Sequence, residues 1–282
     1  MHGLGNDYVY IDGHQYSLSD EQLPDLARRI SNRHTGVGGD GLILILPSSA
    51  ADFRMRVFNP DGSEAEMCGN GIRCFAKYVY DHSLTNCPSL RIETVGGIKS
   101  LDLVTRQGKV ERVRVNMERP RWTVADVPMA SHLTGRRGED EALDVPLVIS
   151  GNEFLVNGIS MGNPHAVIFV EQVQEVPLKE YGPLIEHHAL FPQRTNVEFV
   201  QVVNRKEVIV RVWERGAGAT LACGTGACAS AVAAILHGMT EETVTAHLAM
   251  GDLLVEWQSR EDCYMEGPCE ETFSGDYPFE GL

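Results

Sequence analysis

The sequence holds no apolar run approaching the roughly 18 residues of a membrane-spanning helix, and it has no low-complexity segment. Basic residues are scarce, with 24 Lys and Arg against 39 Asp and Glu and a formal charge of −15. That balance argues against nucleic acid as a partner, because a phosphate backbone is gripped by clustered Lys and Arg. The opening residues Met1-His2-Gly3-Leu4-Gly5-Asn6 lack the basic and apolar regions of a secretory leader, so a cytoplasmic protein is expected. Seven cysteines follow no compact framework, which fits free thiols in a reducing compartment. No metal is expected either. The spacings Cys68–Cys74 and Cys223–Cys228 are unlike short zinc knuckles, and His187-His188 reads as a solvated helix end.

What is present is an ordinary globular composition, 43% hydrophobic and 22% charged over 282 residues. At roughly 100–200 residues per domain this length implies about two domains.

Two stretches are variations on one theme: R-V-F-N-P-D-G-S-E-A-E-M-C-G-N-G at Arg56–Gly71 and R-V-W-E-R-G-A-G-A-T-L-A-C-G-T-G at Arg211–Gly226. Val57 stands as far before Cys68 as Val212 stands before Cys223. The repeat reaches further, since Gly5-Asn6 before an apolar run is echoed by Gly162-Asn163 before Ala166–Val170. So long a period excludes a solenoid and indicates duplicated domains.

The pattern within each half is mostly strand. Leu42–Leu46 is a buried run, and Phe53–Phe58 alternates apolar residues with Arg54 and Arg56. Phe199–Val203, Val208–Trp213 and Leu253–Trp257 repeat the pattern. Helices are expected at Ser19–Asn32, Gly69–Asp81, Leu178–His187 and Thr225–His237. The last is small or apolar nearly all round, so strands should enclose it. Arg119–Asp144, with Pro120, Pro128 and a charged run, reads as a crossover between halves.

C-G-x-G at the mouth of a buried helix has a definite chemistry. Glycine permits a tight turn and close approach of a ligand. The free N–H groups and the helix dipole favour negative charge there, so each thiol is expected to ionise readily. The same donors can hold a carboxylate and stabilise charge developing at its α-carbon. Two such thiols facing one carbon would invert it, one removing the α-proton and the other supplying a proton to the opposite face.

At these residues the chain resembles a known family. H-G-L-G-N-D-Y, N-P-D-G-S-E-A-E-M-C-G-N-G-I-R-C, S-M-G-N-P-H-A-V, R-T-N-V-E-F-V and W-E-R-G-A-G-A-T-L-A-C-G-T-G-A are similar, in order, to the motifs of diaminopimelate epimerases. The resemblance implies a cofactor-independent isomerase converting LL-diaminopimelate to the meso form, in lysine and bacterial peptidoglycan-precursor synthesis. It implies an α+β fold of two pseudo-symmetric domains, each a curved, mainly antiparallel sheet around a central helix. The domains would be 1–118, with the tail 269–282 packing back on it, and 119–268. A homodimer in the cytoplasm, or the plastid stroma of a photosynthetic eukaryote, is also implied.

Carried over by position, Cys68 and Cys223 match the proton-transfer pair. Gly69, Asn70, Gly224 and Thr225 match positions that hold the reacting amino-acid end. Asn6, Asn59, Asn163, Asn196, Glu214 and Arg215 match the remaining substrate contacts, and His165 with Glu214 match positions that modulate thiol ionisation. Three departures stand out. Gly41 lies where many members carry a substrate-contacting Gln, Phe273 where some carry a Tyr used in dimerisation, and the chain opens directly at H-G-L-G-N without a preceding short strand.

Rival readings remain. Proline racemase or hydroxyproline epimerase would also use paired cysteines, but a cyclic substrate has less use for Asn59, Asn196, Glu214 and Arg215. Phenazine-biosynthesis-like isomerases share the architecture without the cysteine pair. A metal or redox protein using Cys68, Cys74, Cys223 and Cys228 is the reading from a different class.

Overall fold

The computed structural model describes residues 1–16, 18–259 and 261–279. The chain divides into two compact units, Met1–Asn116 with Glu266–Leu282, and Met117–Met265. The fold is mixed α/β, with mostly antiparallel strand pairing and few helices. Among the described residues no helix is long and apolar enough to cross a membrane.

Both units obey one pairing scheme. In the first, Val9–Asp12 runs parallel to Leu42–Leu46, which is antiparallel to Phe53–Phe58. Phe53–Phe58 is parallel to Ser89–Thr94, which is antiparallel to Gly97–Arg106. In the second, the same alternation links Pro164–Phe169, Asn196–Asn204, Glu207–Glu214, Thr243–Leu248 and Gly251–Trp257. Parallel neighbours need a crossover, and helices supply it at matching points. Helix α1 (Leu23–Ser31) and helix α2 (Gly69–Asp81) serve the first unit. After the short α3 (Ser131–Thr134), helices α4 (Leu178–Glu186) and α5 (Gly224–Leu236) serve the second.

Helix α5 is enclosed as its composition predicts, with every residue from Gly226 to Ala234 buried. Alanine and glycine let strands approach a helix axis closely on several sides. Helix α2 instead buries Ile72, Phe75 and Val79 together with a charged residue, Arg73.

Helix α1 is shorter than the expected Ser19–Asn32, starting only at Leu23. Pro24 occupies its first turn, where the missing N–H costs nothing and the fixed φ favours initiation. Residues 19–22 form a turn closed by Gln22 N–H donating to the Ser19 carbonyl. Leu23, Leu26, Ala27 and Ile30 then bury one face. The segment 119–144 is largely irregular, as its weak periodicity implies, with α3 and two isolated bridges as its regular structure.

Candidate active site

Each unit presents a cysteine at the mouth of its longer helix, and the two settings are built alike from backbone upward. Cys68 is the N-cap of α2, with φ −132° and ψ 114°, and its Sγ accepts the Gly71 N–H at 3.3 Å. Cys223 is the N-cap of α5, with φ −121° and ψ 114°, and its Sγ accepts the Gly226 N–H at 3.3 Å. The second glycine of C-G-x-G lies close against a side chain in each unit. A Cβ at Gly71 would lie 2.6 Å from Ile43 Cδ1, and one at Gly226 would lie 2.7 Å from Glu198 Oε1.

Each unit also supplies an asparagine just after a glycine turn. Leu4 and Gly5, at φ 55° and 82°, turn the hairpin of His2–Gly3 with Asn6–Asp7. Positive φ at both central residues is the turn whose twist suits paired strands. Gly162, at φ 92°, turns the chain between Asn152–Ser160 and Pro164–Phe169, leaving Asn163 in the loop.

In the first unit Asn6 Nδ2 donates to Asp40 Oδ2 at 2.7 Å. A carboxylate only accepts, so the amide orientation is set by chemistry and Oδ1 faces the thiol, which donates to it at 3.4 Å. Asn70 Nδ2 donates to the same oxygen at 3.3 Å. Behind Asn70 lies Arg73, donating to Asn70 Oδ1 at 2.9 Å, the Gly69 carbonyl at 3.0 Å and the Pro268 carbonyl at 3.2 Å. Asp40 is held in turn by Arg33 Nη2 at 2.8 Å and the Asp7 N–H at 3.1 Å. Asn59 closes its own turn, donating to Ser63 Oγ at 3.0 Å.

Position 41 is shut against any side chain. A Cβ there would meet the Phe58 carbonyl oxygen at 2.3 Å and the Tyr8 ring at 2.8 Å. The Tyr8 ring lies beside Cys68 and Asn6, and burial pushes its pKa well up.

In the second unit Asn163 Nδ2 donates to Thr225 Oγ1 at 3.4 Å, and Thr225 Oγ1 lies 3.5 Å from Cys223 Sγ. His165, fully buried, stands between Asn163 Oδ1 at 3.1 Å and Glu198 Oε1 at 2.7 Å. Glu214 accepts from the Thr220 hydroxyl and lies near enough to Cys223 to act on its charge. Asn196 spends both ends of its amide on backbone, accepting the Arg215 N–H and donating to the Pro164 carbonyl, each at 2.9 Å. Arg215 is exposed, with Nη1 3.2 Å from the Gln193 carbonyl. Gly216 N–H donates to Glu186 Oε1 at 2.9 Å, which fixes the turn carrying Arg215. Within the second unit Cys223, Thr225, Asn163, His165 and Glu214 are joined by hydrogen bonds or Coulomb coupling, while Asn196 and Arg215 belong to the adjoining turn.

The expectation that a helix N-terminus would ease ionisation fails for Cys223. Burial pushes its pKa well above the usual thiol range, and the Glu214 and Glu198 carboxylates push the same way. The Thr225 and Gly226 hydrogen bonds act in the opposite sense and are outweighed. Burial also raises the Glu214 pKa, with Glu198 adding to the rise while Thr220 and His165 oppose it. The sign gives a test. Alkylation consumes thiolate, so its rate at Cys223 should climb with pH without a plateau through the ordinary thiol range near 8.5. Glu214→Gln removes one raising charge and should bring the plateau down. Peptide mass spectrometry of iodoacetamide-treated protein reads both; a wild-type plateau at or below the ordinary value would contradict this setting.

Four residues missed from sequence join the site: Tyr8, Asp40, Arg73 and Glu198. Tyr8, Arg73 and Glu198 lie inside the family-like strings and could have been found there, whereas Asp40 lies outside them. Of the other cysteines, Cys74, Cys228, Cys263 and Cys269 are buried and Cys87 is exposed, all as free thiols. Among the described residues no group of three or more His, Cys, Asp or Glu is arranged to hold a metal.

Comparison with known proteins agrees across the chain. A family model described as diaminopimelate epimerase matches residues 1–123 and 158–271. A curated protein named diaminopimelate epimerase from Pelotomaculum thermopropionicum is 50% identical over 278 residues, covering 99% of this chain and 97% of its own length. One of the same name from Moorella thermoacetica is 52% identical over 281 residues, covering 99% and 98%. Among solved structures, a PhzF-family phenazine biosynthesis protein from Bacillus anthracis aligns with a TM-score of 0.67 at 18% identity, over 95% of this chain and 92% of that one. A hydroxyproline epimerase from Agrobacterium vitis aligns at 0.64 and 16%, over 95% and 86%. At such identities the two structures speak to the fold alone.

Proposed function

The chain belongs to the diaminopimelate epimerase family, and from that premise we propose that it inverts one α-carbon of diaminopimelate with two cysteine thiols and no cofactor. It is an isomerase, and the reaction converts LL-2,6-diaminopimelate to the meso form. The observation that carries the two-thiol reading is the repeated N-cap: each sulfur rests on a glycine N–H at the start of a helix, 3.3 Å away in both units.

In this reading the thiolate of one cysteine takes the α-proton, breaking the C–H bond and leaving the electron pair delocalised into the adjoining carboxylate. The thiol of the other cysteine protonates the opposite face. One S–H is lost and one formed, so the pair ends with its charge moved from one sulfur to the other, ready for the reverse inversion. Positioned acid–base groups contribute about 10²–10⁴-fold. The larger share falls to the helix-start donors, Gly69-Asn70 and Gly224-Thr225, holding the carboxylate as charge develops on it. Burial and two carboxylates push the Cys223 pKa up, and each thiol acts as base in one direction of the reaction and as acid in the other. Asn6, Asn59, Asn163, Asn196, Glu214 and Arg215 hold the rest of the substrate, Arg215 through a guanidinium suited to a distal carboxylate. A cytoplasmic homodimer completes the reading.

The test is isotopic. Incubated in D₂O, reduced enzyme should place one deuterium on the inverted α-carbon as LL-diaminopimelate becomes meso, and should leave proline and 4-hydroxyproline unlabelled. Retention of every α-proton of diaminopimelate by folded, reduced protein would overturn the assignment, and labelling of proline would redirect it.

A further inference from the structure

One buried acid in the second unit, a neighbour of Cys223, also faces the ring of His165. Glu198, in strand Asn196–Asn204, is wholly buried, as is His165, and its Oε1 lies 2.7 Å from His165 Nδ1. Its second oxygen, Oε2, has no hydrogen-bond partner among the described residues. Glycine at 226 is what admits this carboxylate beneath the first turn of α5. Burying an acid so completely is costly. A glutamine would accept the same ring N–H without that cost, so the hydrogen bond alone does not account for a charge here.

The other side of the ring shows where the charge acts. His165 Nε2 faces Asn163 Oδ1 at 3.1 Å, so both ring nitrogens address acceptors, an arrangement satisfied when both carry hydrogen. The titratable groups around this cluster are Glu198 from Asn196–Asn204, Glu214 from Glu207–Glu214 and Cys223 at the head of α5. With Oδ1 engaged, Asn163 turns Nδ2 towards Thr225 Oγ1, 3.4 Å away. Its counterpart Asn6 is held the other way, anchored through Nδ2 on Asp40 and offering Oδ1 to its thiol.

We propose that Glu198 is a positioning residue: its charge keeps both His165 nitrogens donating, and the ring thereby locks the Asn163 amide with Nδ2 outward, as a donor beside Thr225 for an anionic group of the substrate. The inference rests on the reading that Asn163 and Thr225 touch substrate. In Glu198→Gln the ring keeps its proton on Nδ1 and exposes a bare Nε2. Asn163 then rotates to donate to that nitrogen, and its oxygen is turned towards the substrate's negative charge.

Two measurements test this. In substrate-free, ¹⁵N-histidine-labelled wild-type protein, the His165 ring should show hydrogen on both nitrogens, and Glu198→Gln should show one. In steady-state assays Glu198→Gln should raise KM for diaminopimelate about 10- to 100-fold, the loss of one charge-assisted contact. Combining Glu198→Gln with Asn163→Ala should add nothing to the KM of Asn163→Ala alone, which a merely structural role for Glu198 would not produce. A bare ring nitrogen in the wild type overturns the proposal, and does so without any variant if Glu198→Gln fails to fold. An unchanged KM in folded Glu198→Gln overturns it equally. The ring spectrum requires no substrate, so a protein inert towards diaminopimelate would refute the functional reading while leaving the Glu198–His165 assignment to its own test.

Discussion

Replacing Cys68 or Cys223 by alanine should abolish inversion while leaving a folded protein. Each thiol serves once as base and once as acid over a forward and reverse cycle, so neither can be spared and the two losses should be similar. Loss of one positioned acid–base group costs about 10²–10⁴-fold in turnover. The expected cost in stability is small by comparison. Alanine forfeits a sulfur that accepts one N–H at 3.3 Å in each unit, and a lost N-cap typically costs about 0.5–2 kcal/mol. Serine separates the two roles, because its hydroxyl is the better N-cap and a far weaker acid. Cys68→Ser and Cys223→Ser should therefore match or exceed wild type in thermal unfolding and still fail to exchange deuterium. Retention of full activity by any of the four variants would exclude the two-thiol mechanism.

Arg73→Ala should be the most destabilising single change in the first unit. The guanidinium is completely buried and reaches three acceptors: the Gly69 and Pro268 carbonyls and the Asn70 side chain. Burial lowers its pKa from the usual arginine value, yet a guanidinium remains charged in proteins. Alanine would strip those acceptors of their donor and leave a void in the helix–strand packing. Removing one partner of such a buried charged network costs about 3–5 kcal/mol, a large part of a typical stability of about 5–15 kcal/mol. Lysine should recover little, since one ammonium cannot span the three acceptors that the planar fork serves. Denaturant unfolding reads the loss directly, and a shift below about 1 kcal/mol would show that the network carries little stability. Activity should fall as well, because Arg73 sets Asn70, which sets the oxygen of Asn6 against Cys68.

The site was legible wherever local sequence alone determines it. Cys-Gly-polar-Gly specifies a capped helix start from four adjacent residues, and both starts lie where the repeat puts them, at Gly69 and Gly224. The helix expected from Ser19 begins only at Leu23, because the polar residues 19–22 close a turn of their own and Pro24 sets the first helical turn. Partners separated by long stretches of chain were not legible. Asp40 fixes Asn6 from 34 residues away, and Glu198 meets His165 from 33. In V-E-F-V a glutamate reads as the solvent-facing residue of an alternating strand, whereas the structure buries it. The ionisation of Cys223 was misjudged for the same reason. The helix end that favours thiolate is written beside it, while the carboxylates and the burial that oppose thiolate come from elsewhere in the unit.

The return of Glu266–Leu282 to the first unit has a consequence for how the protein comes into being. Two of the elements that complete that unit follow the second unit in the chain: the Pro268 carbonyl that receives Arg73, and Glu270, whose backbone exchanges hydrogen bonds with His2. A ribosome delivers Met117–Met265 in full before it delivers them. The second unit can thus close during synthesis, while the first waits, its buried guanidinium short of one acceptor, until Pro268 and Glu270 emerge. A chain stopped just after Met265 would have its second unit finished and its first unit not.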